Sequence, residues 1–410
     1  MFRLNYYLVG IQVCHSMTPE RIRIESEAIL ERVKLNREHL HAFPELSFEE
    51  YHTMEFIASE LERIGIPFQK GVGVTGVVGE IASGANPTDW IAFRADIDAL
   101  PIFEQNEVPY ASKNEGVMHA CGHDVHTSVL LGAAEILWQH RETLPVSVKL
   151  IFQPGEEVAP GGANFMIKAG VLENPKVKQI FALHVYPEMN VGKIGIRPGL
   201  YMASSDELHI EIEGVGGHAA LPHKCVNPVT VAAEIIHGLP AIVKQFEPEN
   251  VPTVLSFGKV EALGSTNVIP GICKIEGTFR TMNEPWRKHF FEETERYFAT
   301  IERSFGAKIK FNRVKGYPFL VNDEALVTHT MDVLKNNLGT ENVETLPLRM
   351  TADDFAFYCH LLPSCYFRLG VADPLKKENF AVHHPKFDIH PDALKVGVSS
   401  IVSIVFNADC

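Results

Sequence analysis

The chain has 410 residues, of which 46% are hydrophobic and 21% charged, and a formal net charge of -14. It is longer than the roughly 250–300 residues at which a single core stops growing, so two domains are expected, and its composition is that of a globular protein rather than a disordered or fibrous one. The acidic balance argues against a DNA- or RNA-binding surface, and no apolar run approaches the ~20 residues of a membrane span.

At the start, Tyr6 to Ile11 form a short apolar run broken by Gln12. It reads as an extension ahead of a natural start at Met17, with a weak secretory signal as the alternative. From Met17 to His41, Ile22, Ile29, Val33 and Leu40 recur at helical spacing. A second helix carrying Met54, Ile57, Leu61 and Ile64 is expected to stop at Gly65. Strand-like runs follow at Gly76–Ile81, Trp90–Ala95, Val148–Phe152 and Ile180–His184, with a helix from His126 to His140 between the second and third. This alternation predicts an α/β domain with a mostly parallel sheet covered by helices on both faces.

Near Ile194 the pattern changes. A half-exposed strand at Leu208–Ile212 precedes a helix from Asn227 to Phe246, strands at Thr253–Val260 and Ile272–Arg280, a charged helix from Glu284 to Phe305, and a strand at Ile309–Val314. The order β-α-β-β-α-β is that of a ferredoxin-like α+β sandwich. After Tyr317 the helix-strand-helix pattern resumes with Asp323–Leu338, Cys365–Leu369 and Pro391–Phe406. The expected division is therefore a discontinuous α/β domain, 17–193 and 315–410, with an inserted α+β domain at 194–314. The seven cysteines, Cys14, Cys121, Cys225, Cys273, Cys359, Cys365 and Cys410, are odd in number and scattered. That predicts free thiols in a reducing, cytoplasmic compartment.

Four segments carry candidate chemistry. Met118 to His126 packs His119, Cys121, His123, Asp124 and His126 around a flexible Gly122, and thiolate with imidazole suits zinc, manganese, cobalt or nickel. Alone, the run also reads as a helix-capping loop. Glu156 and Glu157 follow the strand ending at Phe152, where α/β sheets place their sites; adjacent side chains diverge, so one carboxylate can hold metal while the other handles a proton. A solvated acidic turn is the alternative there. His184 ends a buried run, where a satisfied core histidine is the common case, and His383-His384-Pro385 lies near the C-terminus. Together they supply ligands for two divalent metal ions.

The segments Phe93 to Pro101, His119 to Thr127, Gln153 to Glu157, Leu183 to Val185, Gly216 to Pro222, Asn267 to Pro270 and Asp353 to Phe357 resemble the aminoacylase, hippurate hydrolase and IAA-amino acid (auxin-conjugate) hydrolase family of metal-dependent amidohydrolases. These are zinc-exopeptidase relatives. The resemblance covers Leu40 to Leu394 in order and spacing. It implies that Cys121, His123, Glu157, His184 and His383 hold the metals, with Cys121 bridging, and that Glu156 is the general base. It further implies that Asp96 supports a metal site from behind, that His218 helps stabilise the oxyanion, and that Asn267 and Arg280 hold the substrate near its carboxylate. The motif favours His383 over His384, and Asp353 stands where relatives often carry Glu. The implied reaction cleaves the amide of an N-acyl amino acid to a carboxylic acid and a free amino acid; a carboxypeptidase or dipeptidase of the same chemistry is the alternative. A small-molecule substrate, no nucleic acid or membrane partner, and a homodimer through the inserted domain complete the expectation.

Overall fold

The computed structural model describes residues 17–408; the apolar run at Tyr6–Ile11, Cys14 and Cys410 lie outside the described residues. The helical face expected from Met17 to His41 forms as two helices, Pro19–Ala28 and Leu30–Ala42, because the chain breaks at Ile29 (φ -98°, ψ 0°). Thr18 caps the first, accepting a hydrogen bond from the Arg21 N–H at 3.3 Å. Ile22, Val33 and Leu40 are all buried, so the apolar stripe survives the break. The next helix, Tyr51–Ile64, ends at Gly65 in the left-handed conformation (φ 95°), as its sequence predicts.

Eight strands form the large sheet, in the order Phe68–Val72, Gly76–Ile81, Ser147–Gln153, Trp90–Asp96, Val177–Asn190, Ser364–Ala372, Ile194–Ile196 and Val343–Thr345. The four central strands, Ser147–Gln153 to Ser364–Ala372, are mutually parallel. Antiparallel pairings flank them on both sides. The sheet is thus mixed, with a parallel centre. Alternation along the central strand sorts side chains to two cores. Ile91, Phe93 and Ala95 pack with the helices His123–Gln139 and Ala393–Phe406, while Ala92 packs with Met166, Phe355 and Tyr358 on the other face.

The second sheet has four antiparallel strands in the order Thr253–Glu261, Ile272–Thr281, Asp206–Glu213 and Lys308–Lys315, backed by the helices Pro228–Phe246 and Glu284–Phe305. Leu208, Ile210 and Ile212 point into its core beside Val231, Ile235, Phe279 and Phe290. Phe279 and Phe290 stack with centroids 3.8 Å apart. This is the inserted ferredoxin-like unit. It begins later than sequence suggests: residues 194–205, grouped with the insertion from 194, contribute Ile194–Ile196 to the large sheet and Gly199–Met202 to a pair with Leu320–Asn322. Both strands are too short for periodicity to reveal. The five described cysteines are free thiols, and no described helix is long and apolar enough to cross a membrane.

Phe93, 2% exposed and stacked on Phe181 at 5.0 Å, sits at the centre of the main core. Phe93→Ala should cost about 3–5 kcal/mol, read as a lower urea midpoint; an unchanged midpoint would contradict this packing.

Candidate metal centre

Asp96 and Gln153 face each other at the carboxyl ends of adjacent parallel strands, and His184 lies on the next strand. This is the edge at which open α/β sheets carry their sites. Two connections converge on it: the turn from Pro154 to Glu157, and the loop leading into the helix His123–Gln139. That helix starts at His123, three residues before the sequence-based start at His126, so His123 and His126 share one face of its first turn. Gly122 makes the close approach possible. Its φ is 83°, and a Cβ there would stand 2.6 Å from a methyl of Val185.

The ligating atoms of Cys121, His123 and His184 lie within 4.8 Å of one another, and so do those of Cys121, Glu157 and His383. Cys121 belongs to both groups, which places its sulfur between two candidate ion positions. Its Sγ is 3.6 Å from His184 Nε2. His383 adopts a positive φ of 65°, donates its backbone N–H to Ala120 O at 2.8 Å, and holds Nε2 3.3 Å from Glu157 Oε1. His384 turns away: its Nδ1 accepts the Lys386 N–H at 3.0 Å and its ring stacks on Phe380. Of the two histidines, the fold brings His383 to the cluster.

The rings of His123 and His184 are each aimed by the other nitrogen. His123 Nδ1 lies 2.8 Å from the Asp98 carbonyl oxygen and 3.2 Å from Asp98 Oδ1; His184 Nδ1 lies 2.9 Å from Val185 O. Asp98 also accepts the Glu157 backbone N–H at 3.0 Å. His126, in the same motif, is occupied on both sides, by Asp96 at 2.5 Å and by the Val185 N–H at 2.9 Å. Its role is to orient. Asp96 accepts from His126 and from Arg94, each at 2.5 Å, and lies 3.7 Å from His123 Nε2, the nitrogen that faces the cluster. Arg94 continues to Asp354 at 2.6 Å and to Gln153 Oε1 at 3.1 Å. Asp124 is gripped from the far side by Arg37 and His41, both at 2.8 Å, which anchors the loop.

The residues fit divalent cations. His123 Nε2 and Glu157 Oε1 are buried and have no hydrogen-bond partner, although both point into the cluster. Burial would lower the His123 pKa, but Asp96, Asp98 and Glu157 outweigh it and push it up to about 10. The field that attracts this proton is the field a metal ion would meet. Burial, then Glu157, Glu156 and Asp96, holds the Cys121 thiol well above its ordinary pKa, so a cation is needed to ionise it. Burial, then Arg368, keeps His184 neutral and ready to ligate. Glu156 is raised well above the carboxylate range by burial and by Asp353, Glu157 and Asp354.

A cavity of about 490 Å³ opens on this cluster; Cys121, Glu156, Glu157, His184, His383 and Arg280 line it. Arg280 reaches it from the inserted sheet and donates to Met350 O at 3.2 Å. Tyr317, also on the wall, donates its hydroxyl to the Glu156 carbonyl oxygen. Asp353 lines the cavity as well, within 4.8 Å of the Glu156 carboxylate. His218 and Asn267 do not line it. They sit on the exposed ribbon formed by Gly217–His218 and Val268–Ile269, where His218 Nδ1 accepts the Ala220 N–H and Asn267 Oδ1 accepts the Ser265 hydroxyl. Of the three expected residues on the insertion, the structure brings Arg280 to the cavity and leaves His218 and Asn267 apart from it. Their motifs report residue type and order, not the reach of a ribbon at the end of the insertion. Asp98, Arg94 and Tyr317 were not assigned roles from sequence; Asp98 and Arg94 lie inside the Phe93–Pro101 segment, and Tyr317 carried no signal.

If His383 rather than His384 completes the cluster, His383→Ala should lose metal on dialysis while His384→Ala retains it, as measured by inductively coupled plasma mass spectrometry. The reverse order would overturn the assignment.

Residues 92–407 match Peptidase family M20/M25/M40. The chain is 38% identical over 371 residues to IAA-amino acid hydrolase ILR1-like 4 of Arabidopsis thaliana, covering 88% of this chain and 82% of that protein. It is 33% identical over 382 residues to thermostable carboxypeptidase 1 of Saccharolobus solfataricus, covering 92% and 95%. Among solved structures it resembles the Bacillus subtilis YxeP protein, a dinuclear metal binding peptidase from the M20 family, with a TM-score of 0.76 and 34% identity over 93% of this chain and 98% of that one. With the two ligand groups that share Cys121, these likenesses lead to one conclusion: the chain belongs to peptidase family M20/M25/M40 and is a metal-dependent hydrolase.

Proposed function

We propose that this chain hydrolyses the amide bond of N-acyl amino acids, releasing a carboxylic acid and a free amino acid. Its likeness to an IAA-amino acid hydrolase and to a carboxypeptidase leaves an N-acyl group or a peptide as the substrate. One observation supports the first. A dipeptide carries an α-ammonium that calls for a free carboxylate. Of the carboxylates on the cavity wall, Glu156, Glu157 and Asp353 belong to the cluster, and Glu207 is bonded to His209 at 2.9 Å. An uncharged acyl group needs no such partner.

In this reading Cys121, His123, Glu157, His184 and His383 hold two divalent cations, which would acidify a water and polarise the scissile carbonyl. The mixed sulfur, nitrogen and oxygen donors suit zinc, manganese, cobalt or nickel. Asp96 and Asp98 keep the His123 ring in place. Arg280 receives the carboxylate of the amino-acid half, its planar fork matching two oxygens. Glu156 takes a proton from the attacking water and delivers it to the amide nitrogen as the C–N bond breaks. Its carboxylate, on the cavity wall beside Glu157 and His123, is placed for both steps.

His218 and Asn267 enter only if their ribbon is carried to the cavity, by closure of the insertion at 194–314 or from a second copy of the chain paired along the Thr253–Glu261 edge. His218 would then stabilise the developing oxyanion and Asn267 would hold the substrate. The free Cys121 thiol fits a reducing compartment such as the cytoplasm.

Assays of N-acetyl and N-benzoyl amino acids beside matched dipeptides test the reading: release of amino acid from the acyl substrates is expected, and cleavage of dipeptides alone would transfer the chain to the peptidase reading. Glu156→Ala should lose nearly all turnover while keeping its metal; loss of both would make Glu156 a ligand. His218→Ala should lower kcat by roughly 10²–10³ with unchanged metal content, and full activity would remove it from the reaction.

A further inference from the structure

Besides Arg280, two arginines that no step above uses line the cavity, Arg349 and Arg368. Arg368 is 5% exposed, yet no described carboxylate lies within ion-pair distance of it. Its Nε donates to the Tyr201 hydroxyl at 3.1 Å, Nη2 meets the Met202 sulfur at 3.4 Å, and Nη1 reaches Val185 O only at 3.5 Å. Its guanidinium lies 5.0 Å from the Tyr366 ring centroid. Arg349 packs over Tyr186 at 4.8 Å and faces the largely exposed Glu188 at 3.4 Å; its Nε is buried with no partner. Both guanidinia hang on the same two stretches of chain. Arg368 touches Val185, Tyr201 and Met202, while Arg349 stacks on Tyr186 and donates its backbone N–H to Tyr201 O at 2.9 Å.

A buried guanidinium carries five donors and a costly charge, and proteins ordinarily pair it. Stacking on Tyr366 explains a flat side chain at 368, but a neutral one would stack without the desolvation cost. Arg280 likewise has no carboxylate partner among the described residues, donating instead to Met350 O. One substrate carboxylate, gripped by Arg280, leaves Arg368 without a carboxylate and Arg349 with only the largely exposed Glu188. Resting on the amide-hydrolase reading above, we propose that the preferred substrate bears a second carboxylate, received by Arg368 and Arg349. It is therefore a dianion, in which the extra group belongs either to a dicarboxylic amino acid or to a dicarboxylic acyl chain.

The test compares N-acetyl-alanine, N-acetyl-glutamate and N-succinyl-alanine on the metal-loaded full chain. At least one dianion should exceed N-acetyl-alanine in kcat/KM by roughly tenfold or more, chiefly through KM. An advantage for N-acetyl-glutamate assigns the second carboxylate to the amino acid, and one for N-succinyl-alanine to the acyl chain. In Arg368→Met and in Arg349→Met the ratio of dianion to monoanion should collapse toward one. Equal kcat/KM for all three compounds, or a preference that survives both substitutions, would overturn the proposal while leaving the hydrolase reading intact. If Arg368→Met fails to fold, the half-buried Arg349→Met and the unmodified chain still decide. If none of the three is cleaved, the hydrolase reading fails separately. Calorimetric binding of the same compounds then decides the anion site, tighter dianion binding supporting it and equal binding overturning it.

Discussion

Negative charge is crowded into a buried space at the carboxyl end of the central parallel strands. Asp96, Asp98, Glu156, Asp353 and Asp354 are each no more than 7% exposed, and Arg94 answers several of them at once, touching Asp96 and Asp354 and lying 3.5 Å from Asp353. The shortfall is visible in proton affinities. Asp354 is pushed up to about 7 by burial and by Asp353, against the pull of Arg94, and Glu156 is raised by burial and by Asp353, Glu157 and Asp354. A cluster left this way either binds protons or binds cations. The fold supplies the means for cations: a shared thiol, the His123 and His184 rings aimed by backbone or side-chain acceptors, His383 beside them, and a carboxylate oxygen with no hydrogen-bond partner. Metal binding and the integrity of this end of the sheet are therefore one equilibrium seen from two sides.

The inserted sandwich answers a different demand. The metal cluster sits at the end of a rigid sheet and has little freedom to close around a substrate. Arg280, near the end of an insertion strand, brings a cation to the cavity wall, and the ribbon that carries His218 and Asn267 stands apart from it. The arginines on the catalytic side give the cavity a second polarity: acidic where cations bind, basic where substrate anions would dock.

Much of this was legible in the residues. Long, periodic segments such as Glu284–Phe305 and the alternating Leu208, Ile210 and Ile212 declared their elements because burial imposes period on sequence. Cys121, His123, Glu157, His184 and His383, whose ligating atoms the fold brings together, were singled out by the family resemblance of their segments; each segment alone also reads as a capping loop, an acidic turn or a core histidine. What stayed hidden depends on tertiary placement. Strands of three residues, such as Ile194–Ile196, carry no period, so the start of the insertion was placed too early. The helix start at His123 was missed because histidines and Asp124 look like loop, and they are helical here because Gly122 and the contact with Val185 fix the entry. Separation of His218 from the cavity is a matter of where a ribbon points, which motif spacing does not encode. The unpaired state of Arg368 is invisible until its neighbours are known.

The central claim is that the Cys121 cluster holds two divalent cations on which hydrolysis depends. The most direct measurement is metal stoichiometry of the purified chain by mass spectrometry under reducing conditions, followed through chelation and readdition of manganese, zinc or cobalt while amine release from an N-acyl amino acid is recorded. The account predicts about two ions per chain at saturation, with turnover lost on chelation and restored as they return. Turnover that persists in fully chelated protein, or a chain that takes up no metal, would contradict it.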